Sequence, residues 1–425
     1  MSRAAIGAAL LALVVAAPAR AQERERITSR EAYDHRAPED DSADEAARWV
    51  PRVLLAPLWL LASGTREITR LMLEPIGPPP SSPDALEPPR PVEVLPVVRL
   101  ETDRSPALGV QVVLRAGEEL AVTLATQHFD DRRFEAFSEL RWRPARELTI
   151  GLEGDGGTRA DLQLHGLGWA SGDDQRTDYR HVRGGGRLWV EHRAFEASRL
   201  SLSMRLTHHR FSRREDDARP LPPAPGFERG ATVAAPRLAW RVDQRDADRA
   251  GHGGVAFEVT VGFGADVEGE ARWLGLRARA AATVALSSHH DVTLAAYAAL
   301  TEALTDAPPP FVELPTLGGD PGRLAGIVRG RLMGYSATVA SLRYRWGIAT
   351  SLDASLFVEA GNVFGAGFDD LTLERVRLSF GVGLDSLGSD DHRLGVVAAL
   401  ATDPLVDGGA IHGGHARLFI GSAPR

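Results

Sequence analysis

From Val97 to Arg425 apolar and polar residues alternate with a period of two, as in strands whose faces meet different surroundings. In "LSLSMRL" Leu200, Leu202, Met204 and Leu206 share one face, and Ser201, Ser203 and Arg205 share the other. Phe257, Val259, Val261 and Phe263 oppose Glu258, Thr260, Gly262 and Gly264 in the same way. Leu342, Tyr344 and Trp346 oppose Ser341, Arg343 and Arg345, and Leu378, Phe380, Val382 and Leu384 oppose Ser379, Gly381 and Gly383. A soluble sandwich also alternates, but its greasy faces meet in a core. Segments of about ten residues, recurring to the end of the chain between polar loops such as "HFDDRRF", "ASGDDQRTDYR" and "HRFSRREDDARPLPPAPGF", fit a barrel whose greasy face meets lipid. At about 10 residues per membrane strand, the stretch 97–425 predicts an all-β, antiparallel transmembrane barrel of about 16 strands.

The N-terminal part follows a different pattern. Arg3, the apolar run 4–17 and Ala19-Arg20-Ala21 read as a signal peptide over 1–21. Residues 22–47 are polar and charged and predict a disordered leader. Residues 48–76 hold an apolar run too short to span a membrane and broken by Pro51, Pro57 and Pro75. They predict a short amphipathic helical segment lying on a membrane or against a barrel mouth, or an ordinary packed helix pair. Residues 77–96 are proline-rich and read as a stiff linker.

Composition narrows the function classes. The chain has no cysteine, which excludes disulfides and thiolate chemistry, and its net charge of −8 argues against a nucleic-acid partner. "RGGGR", 183–187, lacks the Gly-Lys-Ser/Thr of a phosphate loop and reads as a hairpin turn. His208-His209, His289-His290 and Asp390 to His392 lack a metal-binding spacing on one strand face and read as solvated loop ends, so neither a metal nor a cofactor is expected. Ser203 with His208 or His209 is the nearest approach to a nucleophile and base, with Ser203 and His209 on one face but far apart along the strand. No enzyme is expected.

The region 314–365 resembles the bacterial surface antigen family of outer-membrane barrels, the BamA/TamA superfamily. The matching pieces are Gly318-Gly319 of "LGG", the motif Val328-Arg329-Gly330, "YRW" at Tyr344, Arg345 and Trp346, and "FVEAGNVFG" with Glu359 and Gly361. Asp243 and Arg245 match an Asp-x-Arg strand end, and the resemblance runs from about 236 to 400. It implies a long sixth loop folded into the lumen, with Arg329 contacting an acidic residue of the wall. Glu359 is the matching position, and alternation places it on the lumen face with Ser355, Phe357 and Gly361. Where the family carries an aromatic residue after Arg-Gly this chain has Arg331, with Tyr335 as a substitute. The position usually acidic before "YRW" is Arg343, which implies a more cationic lumen. Residues 22–90 do not read as a periplasmic POTRA module, and "SAPR" displaces the C-terminal aromatic assembly signal.

The resemblance implies a bacterial outer-membrane location and insertion or translocation of proteins or lipids, with outer-membrane lipid and envelope proteins or lipid substrates as partners. A porin-like channel and an outer-membrane enzyme are the alternatives. N-terminal sequencing of the envelope-purified protein should read from Gln22, and a chain still beginning at Met1 would overturn the cleavage assignment.

Overall fold

The computed structural model describes residues 91–421 apart from 103, 131–132, 172–175, 196, 214–221, 223, 246–252, 288, 350–351 and 387–392. The signal peptide, leader and amphipathic segment, the linker up to residue 90, and Asp390 to His392 lie outside the described residues. Eighteen strands follow one another: β1 (Val92–Glu101), β2 (Ala107–Ala116), β3 (Leu120–Asp130), β4 (Arg133–Ala145), β5 (Leu148–Leu164), β6 (Thr177–Phe195), β7 (Ser198–Arg213), β8 (Ala231–Asp243) and β9 (Gly254–Asp266). Then come β10 (Arg272–Ser287), β11 (His290–Ala303), β12 (Thr316–Leu317), β13 (Leu332–Met333), β14 (Ser336–Ala349), β15 (Leu352–Phe364), β16 (Arg377–Ser386), β17 (Arg393–Thr402) and β18 (Ile411–Gly421). Sixteen of them close into one antiparallel barrel in which β1 meets β18, and β12 and β13 form a small hairpin apart from it. The predicted architecture is therefore the observed one.

The alternation works as read. Leu202 is 60% and Leu206 53% exposed on the outer face, whereas the next residues, Ser203 and Thr207, are buried toward the lumen. Val261, Phe263, Leu342, Val358 and Phe380 extend the same exposed apolar belt around the wall. Closure lets every strand pair its backbone, which hydrocarbon demands because it offers no competing hydrogen bonds. Inside, arginines and carboxylates of neighbouring or next-neighbouring strands pair across the wall. Arg343 donates to Asp385 at 2.6 Å, Arg345 to Asp291 at 2.9 Å, and Arg187 lies 3.6 Å from Glu153. The excess of lumen cations implied by Arg343 is thus offset by its own carboxylate.

The connections are unequal at the two rims. On the rim where β1 begins the connections 117–119, 146–147, 196–197 and 288–289 are only two or three residues long, with 244–253 the longest. The opposite rim carries 165–176, 214–230, 304–335 and 365–376. Outer-membrane barrels place short turns at the periplasm and long loops outside, which orients the chain.

Several expectations are corrected. The first strand starts at Val92, inside the segment read as linker. Pro96 lacks an N–H, but among the described residues the β18 register with β1 begins only at Val98, so the missing donor breaks no described ladder bond. "RGGGR" lies in the middle of β6, where Gly184, Gly185 and Gly186 face Gly156, Asp155 and Gly154 of β5. Arg183 and Arg187 keep the period of two by pairing with lumen carboxylates, and a backbone ladder needs no side chains. His208 and His209 belong to β7 and His290 to β11. His209 is buried in the lumen 3.0 Å from His181, and His290 bonds the Tyr344 hydroxyl at 2.6 Å on the outer face.

Leu206→Arg should destabilise the folded barrel by about 2–4 kcal/mol, because it places a cation against hydrocarbon. Thr207→Ala, on the opposite face, should change it by about 1 kcal/mol. Urea titrations of refolding into lipid vesicles measure both.

Candidate functional site in the barrel lumen

The connection 304–335 is the sixth on the long-loop rim, and it folds into the barrel. Its apolar residues meet a wall built from small ones. Leu317, Leu324, Ile327 and Leu332 pack in one buried cluster with Ala299 of β11, Ala337 and Val339 of β14, Val363 of β15 and Ala401 of β17. At about 1.5–3 kcal/mol for each buried leucine or isoleucine, this packing is a large part of what holds the loop inside. Nearer the loop's start, Phe311 packs with Tyr179, Phe211 and Phe227, with ring centroids 4.7 to 6.0 Å from it.

Two polar anchors fix the ends of the inserted segment. Glu313 accepts from Arg205 of β7 at 2.5 Å and lies 3.5 Å from Arg237 of β8. On the far side of the lumen the turn 320–326 seats on β15, β16 and β17. Here Glu359 accepts from the backbone N–H of Ala325 at 2.6 Å and of Gly322, and the Ser379 hydroxyl accepts from the N–H of Gly326 at 2.9 Å. Gly326 is required: a Cβ there would lie 2.2 Å from the Leu400 carbonyl oxygen. Leu324 holds a φ of 63°, unfavourable for a side chain with a Cβ, and is completely buried. Burial and the carboxylate of Glu359 compensate that backbone strain.

Arg329 does not reach Glu359. Its Nη2 donates to Asp320 at 2.8 Å, and its Nε lies 3.6 Å from Glu101 at the end of β1. The implied Arg329–Glu359 pair is corrected for a geometric reason. Both oxygens of Glu359 are occupied by donors of the turn, and Arg329 comes later in the loop, across the lumen beside β1 and β18. Asp320 also accepts from Arg417 of β18, and Arg104 donates to the Arg329 carbonyl at 2.6 Å while lying 3.6 Å from Glu101. Burial, reinforced by the nearby Arg159, pulls the Arg104 guanidinium down to about 10, which leaves it charged at neutral pH. One loop carboxylate thus links two arginines, and the cluster touches both β1 and β18.

The other motif residues fall as follows. Gly318 and Gly319 have φ of 113° and 84°, Gly319 packing against the Arg329 backbone, and Gly330 has φ of 73°. The Val328 carbonyl lies against Gly318 and accepts from the Arg331 N–H. Asp243 accepts from Arg245 at 3.1 Å at the end of β8, far along the chain from the loop. Arg345 faces the lumen and Tyr344 the outside, and Gly361 leaves no room for a Cβ beside the Thr338 carbonyl. Tyr335 packs at the edge of the Phe311 cluster, and Arg331 contacts His412 at 3.2 Å.

Asp320, Glu101, Arg417, Glu313, Arg205, Arg237 and Ser379 were not singled out from sequence. Asp320 left a signal, being the one acidic residue in 317–331.

The seam completes the site. β1 and β18 share four register pairs, Val98 to Glu101 with Ile420 to Arg417, against ten between β17 and β18. Thr102 adds to them, its N–H donating to the Ala416 carbonyl and its hydroxyl accepting the Ala416 N–H, both at 2.9 Å. Among the described residues the edge of β1 below Val98 has no β18 partner, and Val92 and Val94 there are exposed.

These features define a sixteen-strand barrel of outer-membrane type with an inserted sixth loop. Its fold is similar to that of BamA from Haemophilus ducreyi lacking POTRA domains 1-3, with a TM-score of 0.56 and 13% identity over 77% of this chain and 70% of that one. It is also similar to CdiB from Escherichia coli, with a TM-score of 0.55 and 12% identity over 79% of this chain and 64% of that one. CdiB from Acinetobacter baumannii gives 0.53 and 12%, over 78% of this chain and 60% of that one. The chain therefore spans less than two thirds of either CdiB chain. No family model and no curated protein sequence matches it.

Asp320→Ala leaves Arg329 and Arg417 facing each other and should lower the temperature at which the barrel loses its compact gel migration, at a cost of about 1–3 kcal/mol. Glu359→Ala, which orphans two N–H groups of the turn, should lower it by a similar amount. Wild-type migration in both variants would show that neither carboxylate is needed to hold the loop.

Proposed function

We propose that this barrel resides in the bacterial outer membrane, belongs with the surface-antigen-type barrels, and inserts or translocates protein or lipid substrates by opening its wall between β1 and β18. The observation that carries this reading is the seam itself. It has four register pairs, an apolar β1 edge that pairs with no described residue of β18 below Val98, and a lumen loop whose ionic cluster grips both flanking strands. An exposed β1 edge offers backbone donors and acceptors to an incoming strand, while the loop holds the closed state.

A passive channel is less well supported, because the sixth loop crosses the lumen and is anchored on both sides. The reading assigns no catalysis. Ser203 and His209 share the lumen face, but the His209 imidazole bonds His181.

A cysteine-free chain allows a clean test. Leu100 and Leu418 face each other across the seam, so Leu100→Cys with Leu418→Cys should form a disulfide under oxidation. With the seam locked, delivery of outer-membrane proteins or surface lipid by cells depending on this chain should fall, and reductant should restore it. Undiminished delivery with the cross-link fully formed would eliminate the seam as the route.

A further inference from the structure

A cavity of about 190 Å³ opens above the tip of the sixth loop, between the outer-rim ends of β5, β16, β17 and β18. Among the described residues its charged and titratable lining consists of Arg176, Arg331, Arg377, His165 and His412, with no carboxylate. The neighbouring acids sit behind these groups. Asp178 lies 3.2 Å from Arg176, and Asp403 lies 3.2 Å from His412 Nδ1 and 3.5 Å from Arg377. Asp403 thereby orients the His412 ring, whose Nε2 accepts from Arg331 at 3.2 Å.

Arg377 is the most informative group. Its side chain is 6% exposed, yet its contacts to the Thr402 carbonyl, Asp403 and the Trp169 carbonyl are all 3.5 Å long, and its Nε–H has no acceptor. A buried guanidinium offers five donors in a planar fork and is costly to leave weakly satisfied. What would satisfy it is a compact ligand rich in acceptors and negatively charged, and tetrahedral oxyanions match that fork. Arg331, standing where the family resemblance expects an aromatic ring, supplies a second cation to the same space, and Arg176 a third.

We propose that this cavity binds a phosphate-class oxyanion, carried either by a free phosphate ester or by a phosphorylated lipid headgroup. The site is independent of the seam, because none of Glu101, Asp320 and Arg417 lines it.

The experiment is calorimetric titration of the full-length barrel in nonionic detergent with inorganic phosphate, against chloride at matched ionic strength. Saturable phosphate binding is expected, weakened about tenfold by Arg377→Gln and again by Arg176→Gln. Arg377→Gln changes a buried position, so Arg176→Gln, on a partly exposed side chain, keeps the test decisive, and compact gel migration confirms that each variant is folded. A second arm compares a diphosphorylated lipid with its dephosphorylated counterpart in mixed micelles. Preference for the phosphorylated lipid assigns the headgroup, and equal binding of the two lipids alongside phosphate binding assigns the free ester. Phosphate indistinguishable from chloride, or binding unchanged in both variants, overturns the proposal.

Discussion

The rest of the structure depends on the junction of β1 with β18. A sheet surrounded by hydrocarbon cannot leave backbone groups unpaired, so sixteen strands are stable there only as a closed ring. Four register pairs make the closure, helped by Thr102 and by the Asp320 carboxylate, which collects Arg417 from one side of the junction and Arg329, beside Glu101, from the other. The loop that carries Asp320 is held by leucines against a wall of alanines and valines, and by the turn on Glu359. Packing sets where the loop sits, and that position sets whether the ionic link can form.

The loop also joins distant parts of the wall. Glu313 ties its start to β7 and β8, and the turn 320–326 ties its tip to β15, β16 and β17. A segment fixed at both ends acts as a strut across the lumen, coupling the shape of one side to the closure of the other. That coupling separates this arrangement from an open pore, where lumen charges would face water alone.

Much of this was legible in the sequence. Membrane strands betray themselves by a period of two, so Leu200 to Leu206 were placed on the correct face, and Glu359 on the lumen side. The inward loop was legible only through the resemblance carried by Gly318-Gly319 and Val328-Arg329-Gly330. The partner of Arg329 was not, because alternation fixes a face but not how a mobile connection will lie on it, and Glu101 falls outside the region of family resemblance. Pro96 and "RGGGR" misled for a shared reason: proline and glycine punctuate soluble sequences, whereas here an edge position and a barrel ladder tolerate them.

Gly326 fits so closely against β17 that its missing Cβ is part of the contact, and the cluster around Asp320 needs β1 and β18 together. This imposes an order of events on biogenesis. A cluster that draws on both terminal strands cannot be complete until both are in place, so the contacts of Asp320 with Arg417 and of Arg329 with Glu101 come together only as the ring closes. That ionic link is therefore among the last of the loop's contacts to become available, and its presence reports that the ring has shut.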